Sequence, residues 1–210
     1  MDLPLDQVMH SISLGAVATM AAAGVLEAGR KRFDLFGMVV VALSAALGGG
    51  SLRDVLLDRP VFWVADQTFL IAALLAALAT FFLARRFVLP ARLFLIPDAA
   101  GLALFTIAGT KVSLVWGAPW LVASFMGVIT GVVGGILRDV LCNEEPLVFQ
   151  GSLYATAAWV GALVFIGLSL LDIDPRFAAV AAGAIIFLLR VVAIRWDIGL
   201  PRFRTRPDGD

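Results

Sequence analysis

Apolar residues in this chain come in runs long enough to cross a bilayer, and the breaks between runs carry charge, proline or glycine. A membrane-crossing helix needs about 20 mostly apolar residues. Seven runs reach or approach that length, at 7–28, 35–57, 67–84, 94–115, 119–141, 152–171 and 176–194. The breaks are "AGRKRFD" at 28–34, "LDRPVFWVADQ" at 57–67, "RRFVLPAR" at 85–92, "WGAP" at 116–119, "CNEEP" at 142–146 and "LDIDPR" at 171–176. Apolar residues make up 61% of the chain, against about 45–50% in soluble domains. This pattern specifies an all-α polytopic membrane protein with seven transmembrane helices. The acidic start "MDLPLDQVMH" lacks the basic region of a cleavable signal peptide, so the first run is expected to be retained.

Basic residues set the expected orientation, since they collect on the cytoplasmic side. With the N-terminus outside, eleven fall inside: Arg30, Lys31, Arg32, Arg85, Arg86, Arg92, Arg190, Arg195, Arg202, Arg204 and Arg206. Three fall outside, Arg59, Lys111 and Arg176, and Arg53 and Arg138 lie within runs. The expectation is a multi-pass protein of the cell inner (plasma) membrane with a cytoplasmic C-terminus. The tail from 197, rich in Pro and Gly, is expected to be mobile.

The second constraint is a repeat. Shifted by 85 positions, Gly49-Gly50 falls on Gly134-Gly135, and Leu52-Arg53-Asp54-Val55-Leu56 falls on Leu137-Arg138-Asp139-Val140-Leu141. Ala23-Gly24 falls on Ala108-Gly109, Ala16 on Gly101, and one residue inserted before Pro146 sets it apart from Pro60. A unit of three spans is odd, so its two copies cross the membrane in opposite senses. The reading is a first repeat over 1–90, an inverted second repeat over 91–172, an unpaired seventh span over 173–196 and a polar tail over 197–210. Inverted repeats are a common transporter architecture with the working site near mid-membrane; a gene fusion kept for packing alone is the other reading.

The shared motif has a definite chemistry. Glycine in a helix costs about 1 kcal/mol against alanine, so Gly48, Gly49, Gly50, Gly134 and Gly135 either bend or break their helices beside a water-filled path or let helices pack closely. The G-x-x-x-G-x-x-x-G ridge of Gly127, Gly131 and Gly135 favours packing, and the two are compatible. Arg53 and Arg138 lie where a charge costs at least about 2.5 kcal/mol at mid-depth, so each faces a partner or snorkels to the interface. Adjacent helical residues do not face one another, which argues against pairing with Asp54 and Asp139. Asp98 lies at the level of Arg138, and the repeat maps it onto Ser13 at the level of Arg53; Asp98–Arg138 and Ser13–Arg53 contacts are expected. Ser44, Ser51 and Thr130 are candidate hydroxyl ligands. Lys111 either tunes an outer pore mouth or snorkels. Glu27 is expected to pair at a solvated helix end, and Trp63, Trp116, Trp120 and Trp159 to anchor at interfaces or face lipid.

These residues carry a resemblance. "AGRKRFDLFG", "GGGSLRDVLLDRPVFW", "LIPDAAGLALFTIAGT" and "GGILRDVLCNEEPLVF" resemble the prokaryotic trimeric intracellular cation (TRIC) channels, whose domain is also labelled a glycine-transporter domain. The resemblance covers about 1–195. It implies seven spans, a homotrimer, and an hourglass pore in each protomer between the first, second, fourth and fifth spans, with the second and fifth bent at the glycine motifs. It implies passage of potassium and sodium with weak discrimination. Carried over by position, Gly48, Gly49, Gly50, Arg53 and Asp54 form the first motif, and Gly134, Gly135, Arg138 and Asp139 the second, where "VGG" replaces three glycines. The phosphoinositide-binding basic motif of animal relatives has no match here.

Function therefore divides three ways: a monovalent cation channel gated or bent at the glycine motifs, a secondary carrier for a small zwitterion such as glycine, or a structural protein. The balance of 16 basic and 16 acidic residues gives no support for nucleic-acid binding. One cysteine, Cys142, and one histidine, His10, argue against a disulfide, a metal cluster or a catalytic triad, so no enzyme and no cofactor beyond permeant ions is expected. Anionic lipid headgroups are candidate partners of Arg30, Lys31, Arg32, Arg85 and Arg86.

Overall fold

The computed structural model describes residues 3–87, 90, 92–150 and 153–201, with 3–6 described as helix only. Arg202, Arg204, Arg206 and most of the polar tail lie outside these residues. The described helices are α1 (Leu3–Arg30), α2 (Leu35–Leu56), α3 (Phe62–Ala65), α4 (Thr68–Ala84), α5 (Leu95–Val115), α6 (Trp120–Leu141), α7 (Ala155–Leu170) and α8 (Pro175–Trp196). Stretches of α1, α2, α5, α6 and α8 are long and apolar enough to cross a membrane; α4 and α7, at 17 and 16 residues, are apolar but shorter. The one-turn helix α3 lies inside the break at 57–67, where the apolar pattern gave no helix.

Local chemistry sets the boundaries. The Asp34 side chain accepts the Gly37 N–H at 2.7 Å and opens α2. Asp174 does the same for the Arg176 N–H at 2.8 Å, with Pro175 in the first turn of α8, where a proline loses no helical bond. The repeat is visible in the caps. Asp58 and Asn143 each close their helix in the left-handed conformation, at φ 51° and 53°. The next N–H reaches back five residues, Arg59 to the Asp54 carbonyl and Glu144 to the Asp139 carbonyl, both at 2.9 Å, the geometry of a Schellman cap. The ends of α1 and α5 match too, with Arg32 and Gly117 at positive φ and bonds from Phe33 to Ala28 and from Ala118 to Ser113.

All these pairs are 85 positions apart, and the offset persists to the Phe62 and Leu147 N–H groups, which bond Asp54 and Asp139. There is thus no insertion before Pro146. The proline has moved by one position within an unchanged backbone register.

Packing confirms that the copies are inverted. A Cβ on Gly49 would strike the Thr130 carbonyl, and one on Gly134 would strike the Ala45 carbonyl. As numbers rise on α2 they fall on α6, so the two helices cross antiparallel, and the contacts exchange under the 85-residue shift. On α1 and α5, Gly15 meets Leu104 and Gly101 meets Met20, again antiparallel. The helices α1, α2, α5 and α6 form the centre, α4 packs on α1 and α2, and α7 on α5 and α6. The unpaired α8 packs on α5 and α7. Buried alanines such as Ala16, Ala42, Ala46, Ala158 and Ala182 let these helices approach closely, as small residues do in membrane interiors.

Candidate functional site

Both Arg-Asp motifs lie in the last turn of a central helix and are buried. Arg53 and Asp54 are 5% and 0% exposed, Arg138 and Asp139 0% and 3%. Burial overturns snorkelling for both arginines. Each also bonds the aspartate that follows it, contrary to the expectation for adjacent helical residues. Arg53 Nε donates to Asp54 Oδ1 at 2.9 Å, with Nη2 at 2.8 Å from the same oxygen. Arg138 Nε donates to Asp139 Oδ1 at 2.8 Å, with Nη2 at 2.8 Å. The Cβ atoms do diverge, but the arginine stem is long enough to wrap around the helix and meet the carboxylate side-on.

The second carboxylate oxygen explains why this arrangement is built. Asp54 Oδ2 accepts the Phe62 N–H at 2.9 Å, and Asp139 Oδ2 accepts the Leu147 N–H at 3.0 Å. Each motif therefore ties the segment after its helix back onto the helix, through an aspartate whose charge the arginine neutralises.

Around this shared frame the two ends differ. At the Arg53 end, Arg59 Nη1 lies 3.4 Å from Asp54 Oδ1, and the guanidinium of Arg59 sits 5.2 Å from the Trp116 ring centre. Trp63 donates to Ser51 Oγ at 2.9 Å, and that hydroxyl donates to the Leu47 carbonyl. Phe62 stands 5.8 Å from the Arg53 guanidinium and edge-on to Phe69 at 5.0 Å.

At the Arg138 end, Arg138 Nη1 bonds Asp98 Oδ1, the contact expected from their common depth. Asp98 is wholly buried and also accepts the Tyr154 hydroxyl at 3.1 Å. The Arg190 guanidinium lies 4.5 Å over the Tyr154 ring and donates to the Leu153 carbonyl at 3.2 Å. Phe94 lies between Arg138 at 5.1 Å and Arg30 at 5.8 Å. A recess of about 270 Å³ opens beside this cluster, lined by Arg30, Asp139, Glu144 and Arg190 among others.

Other expectations are corrected. Among the described residues Arg53 bonds Asp54 and not Ser13, whose hydroxyl brings no charge to the guanidinium where Asp98 brings one to Arg138. Neither central helix breaks at its glycines: α2 runs unbroken through Gly48–Gly50 and α6 through Gly134–Gly135. Gly49 and Gly134 make the close crossing, Gly48 faces Leu137, Gly50 the Phe62 ring and Gly135 the Tyr154 hydroxyl.

The Thr130 hydroxyl, 1% exposed, donates to the Met126 carbonyl. Ser44 and Lys111 are half-buried, with no hydrogen bond or ion pair among the described residues. Glu27 pairs with Arg30 through both oxygens at 2.9 and 2.8 Å, yet is 1% exposed, not solvated. Trp116 and Trp120 are exposed at 52% and 58%, while Trp63 and Trp159 spend their indole N–H on Ser51 and Ser124.

Sequence reasoning gave Tyr154 no role and counted Arg190 only as a topology charge. Both carried a signal: Tyr154 is the single tyrosine of the chain, and Arg190 falls within the last apolar run, four residues before its end at 194.

A family model described as Glycine transporter matches residues 10–85 and again 95–169. The two matches begin 85 positions apart. The chain is 40% identical over 207 residues to the inner membrane protein YadS of Escherichia coli, covering 96% of this chain and 99% of that one. It also superimposes on the TRIC trimeric intracellular cation channel orthologue of Rhodobacter sphaeroides with a TM-score of 0.87 and 36% identity, over 91% of this chain and 99% of that one. The chain belongs to the prokaryotic TRIC family. A further TRIC cation channel structure matches at 32% identity and a TM-score of 0.82, over 94% of this chain and 98% of that one. The TRIC fold thus accounts for the whole helical bundle, and both Arg-Asp motifs lie within the family matches.

Proposed function

We propose that this chain is a monovalent cation channel that passes potassium and sodium and works as a homotrimer, with a path inside each protomer between the two repeats. The observation that carries this reading is the near-full-length likeness to the Rhodobacter sphaeroides cation channel. The charge arrangement is compatible with it. A bare guanidinium repels cations, but Arg53 is offset by Asp54, and Arg138 by Asp98 and Asp139. In the conformation described here Arg138 is wholly buried, so a path past it is shut. Opening would require the antiparallel crossing at Gly49 and Gly134 to part, which gives the glycine motifs a gating role without a helix break.

The finer placements belong to the same proposal. The N-terminus lies outside and the C-terminus in the cytoplasm, with α4 and α7 crossing the membrane in spite of their length. Anionic headgroups sit at the basic edge, where Arg30 and Arg85 flank an apolar recess of about 350 Å³.

The test is reversal potentials of purified protein in planar bilayers under potassium, sodium and chloride gradients, for wild type, Arg53→Ala and Arg138→Ala. Ohmic unitary steps reversing near the cation potentials support the channel. Currents indistinguishable from protein-free bilayers sink it, and saturable uptake without unitary steps would replace it with a carrier.

A further inference from the structure

One side of the bundle holds a groove that the Arg-Asp motifs do not reach. Helices α1 and α8 both pack on α5 and scarcely touch each other, so α5 forms a floor between two walls. Two recesses follow one another along this floor, of about 590 and 370 Å³, and share Ile12 of α1 and Leu104 of α5. The first is bordered by Gln7, Ser11 and Arg176. The second is apolar throughout, from Ile107 and Gly183 to Phe187. On α8 the two ends of the groove, Arg176 and Phe187, stand eleven residues apart, about 16 Å along a helix. That is close to half of the ~30 Å hydrocarbon core. The groove therefore runs from one membrane surface to about mid-depth, and it is polar at one end only.

Two glycines keep it deep. A Cβ on Gly183 would meet only Ile107 at 4.0 Å, and one on Gly15 only Leu104 at 3.5 Å, both ordinary contacts. Elsewhere a helical glycine makes room for a neighbouring helix: Gly24 takes the Ala42 backbone, and Gly161 takes Ile186 of α8. Glycine weakens a helix, and at 15 and 183 no neighbouring helix requires it. What both positions do is widen the recesses they line.

The mouth has a matching chemistry. Arg176 is exposed, and its guanidinium makes no ion pair or hydrogen bond among the described residues; its backbone N–H is taken by Asp174. The guanidinium and the Gln7 amide are donors suited to phosphate oxygens. The apolar length beyond them suits one acyl chain. A small soluble ligand would use the mouth and leave the rest of the groove without a partner.

We propose that the groove between α1, α5 and α8 binds one membrane phospholipid per protomer, its phosphodiester at Arg176 and Gln7 and one acyl chain laid along α5 as far as Phe187. On the orientation proposed above the lipid belongs to the outer leaflet, at the face opposite the basic edge of Arg30 and Arg85. The site has no twin at the other face, because α8 has no counterpart in the repeat.

The experiment titrates delipidated full-length protein in detergent with dioleoyl-phosphatidylglycerol, and in a second arm with dioleoylglycerol, which has the same chains and no phosphate. Native mass spectrometry counts bound lipid, and light scattering gives the oligomeric state. The variants are Arg176→Gln, Gly183→Leu, Gly15→Leu and the control Gly167→Leu, at an exposed position of α7 where an added Cβ meets nothing. Wild type is expected to hold one phospholipid per protomer most tightly. Gly183→Leu fills the apolar part and is expected to weaken both lipids about tenfold, the scale of two displaced methylene groups. Arg176→Gln is expected to weaken the phospholipid about fivefold, the scale of one basic residue at an anionic surface, and to leave dioleoylglycerol within about twofold. Gly167→Leu is expected to change neither.

Affinities that Arg176→Gln and both groove glycine variants leave at the wild-type value would overturn the proposal. So would an Arg176→Gln loss equal for both lipids, since no phosphate would then be read at the mouth. Dissociation of the wild-type oligomer by Gly183→Leu, with lipid uptake unchanged, would assign the groove to a second copy of the chain instead. If Gly183→Leu is not recovered as folded protein, a phospholipid with a photoreactive group at mid-chain decides. Its crosslinks are expected near Ile12 of α1 and between Ala179 and Phe187 of α8, and crosslinks confined to other helices would overturn the site. Lipid is counted directly, so the outcome stands apart from whether the protein conducts.

Discussion

The Arg53 end holds itself together within one stretch of chain, from Ser51 to Trp63, joined by an outlying stack on Trp116. The Arg138 end uses the same backbone frame but recruits α5 through Asp98, the start of α7 through Tyr154, and α8 through Arg190. Duplication thus preserved the part that depends on local geometry, and divergence fell on side chains that reach across to other helices. The first cluster ties one helix end to the segment that follows it, whereas the second joins four helices. The lesson is that pseudo-symmetry of the backbone does not imply equal cross-linking of the two ends.

Removing each arginine gives the largest contrast. Arg138→Ala leaves Asp98 and Asp139 buried without a countercharge, which is expected to cost about 3–5 kcal/mol. Arg53→Ala leaves Asp54 with Arg59 and the Phe62 N–H, and a smaller loss of about 1–2 kcal/mol is expected. Thermal unfolding of the two variants in detergent checks the order. Equal losses would break the comparison, since they would mean that the extra partners of Arg138 contribute nothing to stability.

The crossing of α2 and α6 belongs to both ends, so it should respond symmetrically. Gly49→Ala and Gly134→Ala each drive a Cβ into a backbone carbonyl that cannot swing aside, and each is expected to cost about 1–3 kcal/mol. Gly48→Ala meets only the end of the Leu137 side chain and should be milder. The same unfolding measurement decides. A penalty at Gly48 as large as at Gly49 would show that the contact surface of α2 lies one position earlier.

Most of the helical frame was legible in the sequence, because apolar runs and polar breaks act over lengths that single substitutions do not disturb. The runs at 35–57 and 119–141 became Leu35–Leu56 and Trp120–Leu141. The Asp98–Arg138 contact was legible too, since charge inside a membrane needs a partner at its own depth. The neighbour pairings were not, because the i, i+1 rule describes Cβ directions and a long guanidinium stem escapes it. Neither was the unbroken course of α2: three glycines weaken a helix, but a partner helix packed against them keeps it whole. Tyr154 became meaningful only once Phe69 was set beside it in three dimensions.

Transplanting the difference sharpens it further. Phe69→Tyr places at the Arg53 end the hydroxyl that Tyr154 carries, but its counterpart acceptor there is Ser13, not a carboxylate. Phe69 packs against Phe62 and His10 at 5.0 Å from each ring, so the new hydroxyl is expected to cost about 1 kcal/mol of stability. Adding Ser13→Asp should recover part of that loss. If Ser13→Asp deepens it instead, the two ends differ in geometry as well as in residue type, and the 85-residue correspondence does not extend to side-chain directions.

The smallest effect tests the Arg138 end at its solvated rim, where Lys31 meets Glu144 at 2.7 Å and joins the turn after α1 to the segment after α6. The bond to Lys31 holds the Glu144 carboxyl below its ordinary pKa of 4.5. A carboxylate favoured in the folded state adds stability that is complete above the ordinary value and is lost as pH falls through the lowered folded one. Both side chains are about a third exposed, so the pair is worth less than about 1 kcal/mol. Lys31→Gln should therefore lower the melting temperature slightly at pH 7 and progressively less as pH falls below 4.5, with the difference shrinking in high salt. A Lys31→Gln penalty that does not shrink as pH falls would mean that lysine acts there through its stem and not through its charge. In that case the rim adds packing, not electrostatic coupling, to the more heavily tied end of the molecule.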